Sequence, residues 1–170
     1  MPISIAGFDD RPALVVLMDN AYRGESSKKG WTTEAHLLQG DKRTDEATVS
    51  KLMHTTGAVF LKYTNDENII EGCVFLHKKG NKLYLGMLSV SPLAQAKGIG
   101  KKLMAAAEEH ARKQSCISIY MHVISLRHEL IAWYERHGYH NTGEKIPFPT
   151  DERFGIPTQP LEFVVLEKMI

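Results

Sequence analysis

The segment Gln95-Ala96-Lys97-Gly98-Ile99-Gly100 follows a strand-like run, residues 83–90, and opens a long amphipathic stretch. Amides at a helix start lack intrahelical partners and sit at the positive end of the helix dipole, so such a corner suits an anionic phosphate. Glycines at 98 and 100 let a ligand approach the backbone closely, and Lys97, Lys101 and Lys102 add positive charge. Two common phosphate loops do not fit. A P-loop needs glycine at position 95 and serine or threonine at 102, where Gln95 and Lys102 stand. A dinucleotide fingerprint needs a small residue at 103, where Leu103 stands. What remains is Gln-x-x-Gly-x-Gly between a strand and a helix.

A second informative stretch is Leu130-Ile131-Ala132-Trp133-Tyr134-Glu135-Arg136-His137-Gly138-Tyr139. Together the two segments resemble the GNAT superfamily of N-acetyltransferases. Its acetyl-CoA motif, Gln or Arg-x-x-Gly-x-Gly or Ala, is complete at Gln95, Gly98 and Gly100 and is preceded here by Val90-x-Pro92. Its second signature, Tyr-Glu-Lys/Arg-x-Gly-Phe/Tyr, matches from Tyr134 to Tyr139. The resemblance implies one domain over residues 1–170, with a central mixed, mostly antiparallel sheet flanked by helices. It implies acetyl-CoA in a notch where two strands splay. Backbone atoms around Leu88, Ser89 and Val90 would hold the pantetheine arm and polarise the thioester carbonyl. The amides of Gln95, Ala96, Lys97, Gly98, Ile99, Gly100 and Lys101 would hold the pyrophosphate. Tyr134 takes the place of the tyrosine that protonates the departing thiolate, and a phenol with a reference pKa of ~10 keeps its proton near neutrality. Many members carry asparagine seven residues before that tyrosine. Arg127 stands there instead, and its guanidinium could donate to an amide carbonyl or reach a phosphate.

An amine attacks a thioester only when neutral, so its proton must be accepted directly or through water. Some members place a glutamate on the strand before the phosphate loop, but residues 83–90 contain no acid. The candidates are Glu25, Glu34, Glu71 and His122. By the same resemblance the acceptor site is walled by the first helices and by the loop before the last strand. Tyr22, Glu25, Trp31 and Glu34 would then bind the acceptor, and two acids beside two aromatic rings suit a cationic amine.

Several elements must position these groups. A short strand over residues 3–8 leads to a helix capped by Asp9 or Asp10, with Pro12 in its first turn and Leu14, Leu17, Met18 and Ala21 on one face. It ends near Tyr22. Thr32 predicts a second short helix anchored by Leu37 and Leu38 and stopped by Gly40. A third helix opens at Thr44-Asp45-Glu46 and runs to Met53. The period then changes. Residues 58–63, 69–77 and 83–90 read as strands joined by Asn65-Asp66-Glu67-Asn68 and Lys79-Gly80-Asn81. Residues 98–114 form a long helix whose inner stripe is Ile99, Leu103, Ala106, Ala107 and His110. Strand 117–124 and helix 127–137 follow, the latter closed by Gly138. A strand over 139–146, a Pro-rich loop and a last strand over 161–169 complete an α/β order.

The 170 residues, 43% hydrophobic and 24% charged, have the balance of an ordinary globular protein. Twenty-one Lys and Arg oppose 20 Asp and Glu, a formal net charge of +1, which gives no global attraction to nucleic acid or an anionic membrane. The longest purely apolar run, residues 13–18, is too short to span a bilayer, and residues 1–8 lack a basic leader. Cys73 and Cys116, each in an apolar run, predict buried free thiols and a cytoplasmic setting. His128-Glu129 opens like a zinc-protease helix but lacks the second histidine, so no metal is expected. The expected activity is acetyl transfer from acetyl-CoA to a primary amine of a small molecule. The alternatives are transfer to a protein or peptide amine, or a regulatory module that binds CoA without turnover. The state is a monomer or a homodimer, with the last strand as a possible pairing edge.

Overall fold

The computed structural model describes residues 2–23, 32–40, 43–95, 97–149 and 155–170. The chain runs through β1 (Ile3–Ile5), a 3-10 turn (Phe8–Asp10), α1 (Arg11–Tyr22), β2 (Leu38–Gln39), α2 (Glu46–Met53), β3 (Ala58–Thr64), β4 (Ile70–Lys79) and β5 (Lys82–Val90). It continues through α3 (Ile99–Lys113), β6 (Ser118–Ile124), α4 (His128–Arg136), β7 (His140–Pro147), β8 (Ile156–Pro157) and β9 (Glu162–Met169). Seven strands form one sheet in the order β1-β3-β4-β5-β6-β9-β7. Every neighbouring pair is antiparallel except β5 and β6. The expected mixed, mostly antiparallel sheet flanked by helices is what forms.

Alternation along the central strands decides which helix packs where. Phe60, Cys73 and Phe75 point to the face covered by α1 and α2, where Leu14, Met18 and Val49 meet them. Leu61, Val74 and Leu76 point to the other face, against Ile99, Leu103 and Ala107 of α3. Because both faces are covered, residues 72–76 of β4 are buried without a break, and the sequence there reads as a continuous apolar run. Cys73 and Cys116 are both free and buried. No helix among the described residues is long and apolar enough to cross a membrane.

Two irregularities in β5 shape the middle of the sheet. Against β4, Ser89 pairs with Cys73 but Gly86 pairs with Phe75, so β5 carries one extra residue there. Met87 takes up the bulge with φ of +54°. On its other side β5 pairs with β6 only from Lys82 to Tyr84, against Ser118 to Tyr120. Past that point the two parallel strands separate.

Three sequence expectations change. Residues 32–40 do not form a helix: the chain makes one turn, with the Leu37 and Leu38 amides both donating to Glu34 O at 2.9 Å, and then enters β2. Leu37 and Leu38 sink into a small core with Ile124, and Leu38 pairs with Pro157, so long-range contacts override the local helical signal. Asp10 precedes α1, but its carboxylate accepts from the Gly7 amide and from Lys62 Nζ, each at 2.8 Å, instead of from the first helical turn. Asp45 caps α2 as expected, its Oδ1 accepting from Thr48 N at 2.7 Å. In α3 the buried stripe shifts to include Met104 and Ala111, leaving His110 half-buried.

Gly72 lets α3 lie close to the sheet. A Cβ there would sit 2.7 Å from Ile99 Cγ2 and 3.0 Å from Leu103 Cδ1. Gly72→Ala is therefore expected to lower stability by about 1–3 kcal/mol through overpacking. Urea unfolding measures this, and an unchanged midpoint would mean that α3 is not seated as described.

Candidate active site

Where β5 leaves β6, a cavity of about 270 Å³ opens between the start of α3 and one face of α4. Gly98 stands at the N-cap of α3 with φ of +75°, and a Cβ there would meet nothing within 4 Å. Its left-handed backbone, not crowding, is what calls for glycine. The first intrahelical bond is Lys102 N to Gly98 O at 3.0 Å, so the amides before Lys102 have no partner within the helix. Gln95 fastens this corner: its Nε2 donates to Thr32 Oγ1 at 2.9 Å and to Val90 O at 3.2 Å.

The opposite wall is one face of α4. Leu130, Trp133, Tyr134 and His137 line the cavity at the i, i+3, i+4, i+7 spacing of a helical stripe. The Trp133 and His137 rings lie 4.2 Å apart, and His137 Nδ1 is 2.7 Å from Trp133 O. Gly138, with φ of +95°, ends the helix. Tyr134 is buried, and its hydroxyl makes no hydrogen bond among the described residues. Burial, reinforced by the neighbouring Tyr22 and Tyr139, raises its phenol pKa well above the ordinary value. It is a neutral phenol at the cavity wall, with a proton it could give.

A second, smaller cavity of about 70 Å³ lies between the separated β5 and β6. It shares Tyr22, Leu88, Leu130 and Tyr134 with the first, so the two spaces meet at these four residues. The Tyr22 hydroxyl donates to the Leu88 carbonyl, and burial pushes that phenol up to about 12. Glu34, Arg43, His122 and Arg127 add the polar walls of the second space. Glu34 Oε1 accepts from Arg23 Nε at 2.9 Å, and its Oε2 lies 3.3 Å from Arg127 Nη1. Arg127 Nη2 also donates to Thr32 O at 2.8 Å.

Of the residues expected from sequence, Leu88, Val90, Gln95, Gly98, Ile99, Gly100, Lys101, Tyr134 and Tyr22 come together around the first cavity. Ser89 does not: its hydroxyl is buried and donates to Met87 O at 3.0 Å. Lys97 is exposed and forms no part of the wall. Arg127 borders the second cavity, where Glu34 draws its guanidinium away from the first. Glu34 itself, expected to offer a free acid to a cationic amine, is already shared by two guanidinium groups. Glu71 lines neither space, whereas His122 lines the second. Ala96, Glu25 and Trp31 fall outside the described residues. Thr32, Leu130, Trp133 and His137 were not singled out from sequence. The last three could have been found from their helical spacing to Tyr134.

The acetyltransferase (GNAT) family model matches residues 20–139, more than half of the 170 residues, and the chain belongs to this family. Over 88 residues it is 32% identical to an acetyltransferase of Agrobacterium fabrum, a match that covers 52% of this chain and 63% of that relative's length. It superposes with a TM-score of 0.73 on a ribosomal-protein-alanine N-acetyltransferase from Brucella melitensis, at 16% identity and with 100% of both chains covered. An aminoglycoside 6'-N-acetyltransferase complexed with coenzyme A gives a TM-score of 0.67 at 14% identity, covering 99% of this chain and 97% of that one. At these identities the two structures share the fold.

Replacing Glu34 would remove the buried carboxylate that Arg23 and Arg127 share. Glu34→Gln is expected to cost about 3–5 kcal/mol of stability. Chemical unfolding of the purified variant reads this directly, and a loss below about 1 kcal/mol would mean the triad is not the buried tie described here.

Proposed function

We propose that the protein transfers the acetyl group of acetyl-CoA directly to the primary amine of a small molecule. The observation that carries this reading is the meeting of two cavities at Tyr22, Leu88 and Tyr134. One suits the donor and the other the acceptor. The glycine corner from Gly98 to Lys101 offers amides without helical partners for a pyrophosphate, and the edge of β5 at Leu88 and Val90 offers backbone groups for a pantetheine arm. With the Leu88 carbonyl taken by Tyr22, its amide is the group that would face the thioester oxygen. The size of the second cavity favours a small acceptor over a peptide, which would need an open groove.

In the proposed step the amine nitrogen attacks the thioester carbon, and the carbon–sulfur bond breaks as the new amide forms. Tyr134 gives its proton to the departing thiolate. The amine's proton goes to His122, directly or through water. Among the described candidates His122 is the one that reaches the second cavity with its ring unengaged by a carboxylate. Burial lowers its pKa below the ordinary histidine value, Lys79 pushing the same way and Glu144 opposing, so it is neutral at pH 7 and able to accept.

Two results are expected. Tyr134→Phe should lower kcat by about 10²-fold or more while leaving acetyl-CoA affinity and folding stability near wild type, since the lost hydroxyl has no hydrogen-bond partner among the described residues. An unchanged kcat would remove Tyr134 from the chemistry. Protonating His122 stops it accepting, so kcat should fall on the acid side at a pH below 6.5. His122→Gln should erase that limb, and a limb that survives would assign the proton elsewhere.

A further inference from the structure

The charge around the second cavity bears on what the acceptor carries besides its amine. Arg43 and Arg127 line this cavity, and among the described residues the one carboxylate that lines it, Glu34, is divided between Arg127 and the neighbouring Arg23. Asp19 is held at the backbone: its Oδ1 accepts from the amides of Arg43 and Thr44. The Arg43 guanidinium has no carboxylate partner among the described residues. Its nearest aromatic contact is the Tyr22 ring, 5.8 Å from its central carbon. Tyr22 in turn bonds the Leu88 carbonyl, so this guanidinium borders the place where the two cavities meet. Apart from His122 and Tyr134 the remaining walls are apolar, with Leu85, Met121, Ile124 and Phe163 among them.

We infer that the acceptor is an amino-acid-like molecule, an amine that also bears a carboxylate and an apolar side chain, with the carboxylate paired to Arg43. This deepens the acetyl-transfer reading and rests on it. A guanidinium can bind a carboxylate through two parallel N–H donors, and little solvent competes in a space of this size. The same positive wall disfavours an ammonium group, so it discriminates against polyamines and helps keep the bound amine in its neutral, attacking form. That reverses the cationic acceptor expected from Glu25 and Glu34 in the sequence. The apolar walls select the side chain.

The test compares matched acceptors: valine, leucine, methionine and phenylalanine, each beside its carboxamide and its decarboxylated amine, with wild type and Arg43→Gln. The carboxamides have the more acidic ammonium, so more of each is neutral at pH 7.5, and any preference for the free acid runs against intrinsic reactivity. Wild type is expected to favour at least one of the four amino acids over both of its analogues by about ten- to a hundred-fold in kcat/KM, the worth of one charged hydrogen-bonded pair. Arg43→Gln should remove that preference, the free acids losing at least about tenfold more kcat/KM than their analogues, and Arg43→Lys should restore part of it. Equal or better turnover of the carboxamides and amines overturns the inference, as does an Arg43→Gln loss that falls equally on all acceptors. Calorimetry with acetyl-CoA separates the two readings. If the donor binds and none of the amino acids is acetylated, the amino-acid acceptor alone is wrong. If the donor does not bind, the acetyl-transfer reading fails and takes this inference with it.

Discussion

The parting of β5 from β6 after three paired residues is the constraint on which the rest of the structure depends. Inside a sheet, backbone groups without partners carry a cost of order a lost hydrogen bond, so an unzipped edge persists only if something else satisfies it. Here the bulge at Met87 re-aims the strand, and the Tyr22 hydroxyl caps the carbonyl of Leu88. Tyr22 is the last residue of α1, so that one bond also fixes where the first helix ends. The opening leaves two spaces, one on each side of Leu88. Tyr134 closes both from α4.

A second tie runs through Thr32 and Glu34. The Thr32 hydroxyl accepts from Gln95 of the glycine corner and donates to Ala21 O at 3.0 Å, while its carbonyl accepts from Arg127. Arg23, Glu34 and Arg127 join the end of α1, the turn before β2 and the start of α4 in one buried ionic cluster. Such clusters add little net stability compared with apolar packing, but removing one member is costly. Their effect here is positional. They hold the segment around residue 32 against both cavities, and they engage Glu34, the one carboxylate that lines the second cavity among the described residues.

Much of this was legible in the sequence, for physical reasons that differ by element. The corner at Gln95, Gly98 and Gly100 could be read because left-handed backbone and a helix start impose residue types locally. The face of α4 carrying Tyr134 could be read from its 3.6-residue period, as could α3 and the central strands from theirs. What sequence missed depends on contacts far along the chain. Leu37 and Leu38 leave their helical signal for a pairing with β8. Ser89 turns inward because the bulge at Met87 shifts the side-chain alternation by one residue. Arg127 and Glu34 find each other across 93 positions, so neither the loss of Arg127 from the first cavity nor the engagement of Glu34 has any local sign.

The central claim, that the glycine corner and the free edge of β5 form an acetyl-CoA site, is tested most directly by isothermal titration of acetyl-CoA into the wild type and two variants, Gly98→Asn and Gly98→Asp. Both replacements tolerate left-handed backbone and have nearly the same shape, so their difference isolates one negative charge beside the expected pyrophosphate. The account predicts micromolar binding by the wild type, retained within about tenfold by the asparagine variant and lost by about another tenfold or more in the aspartate variant. Absence of binding by the folded wild type, or equal affinity in the two variants, would contradict it.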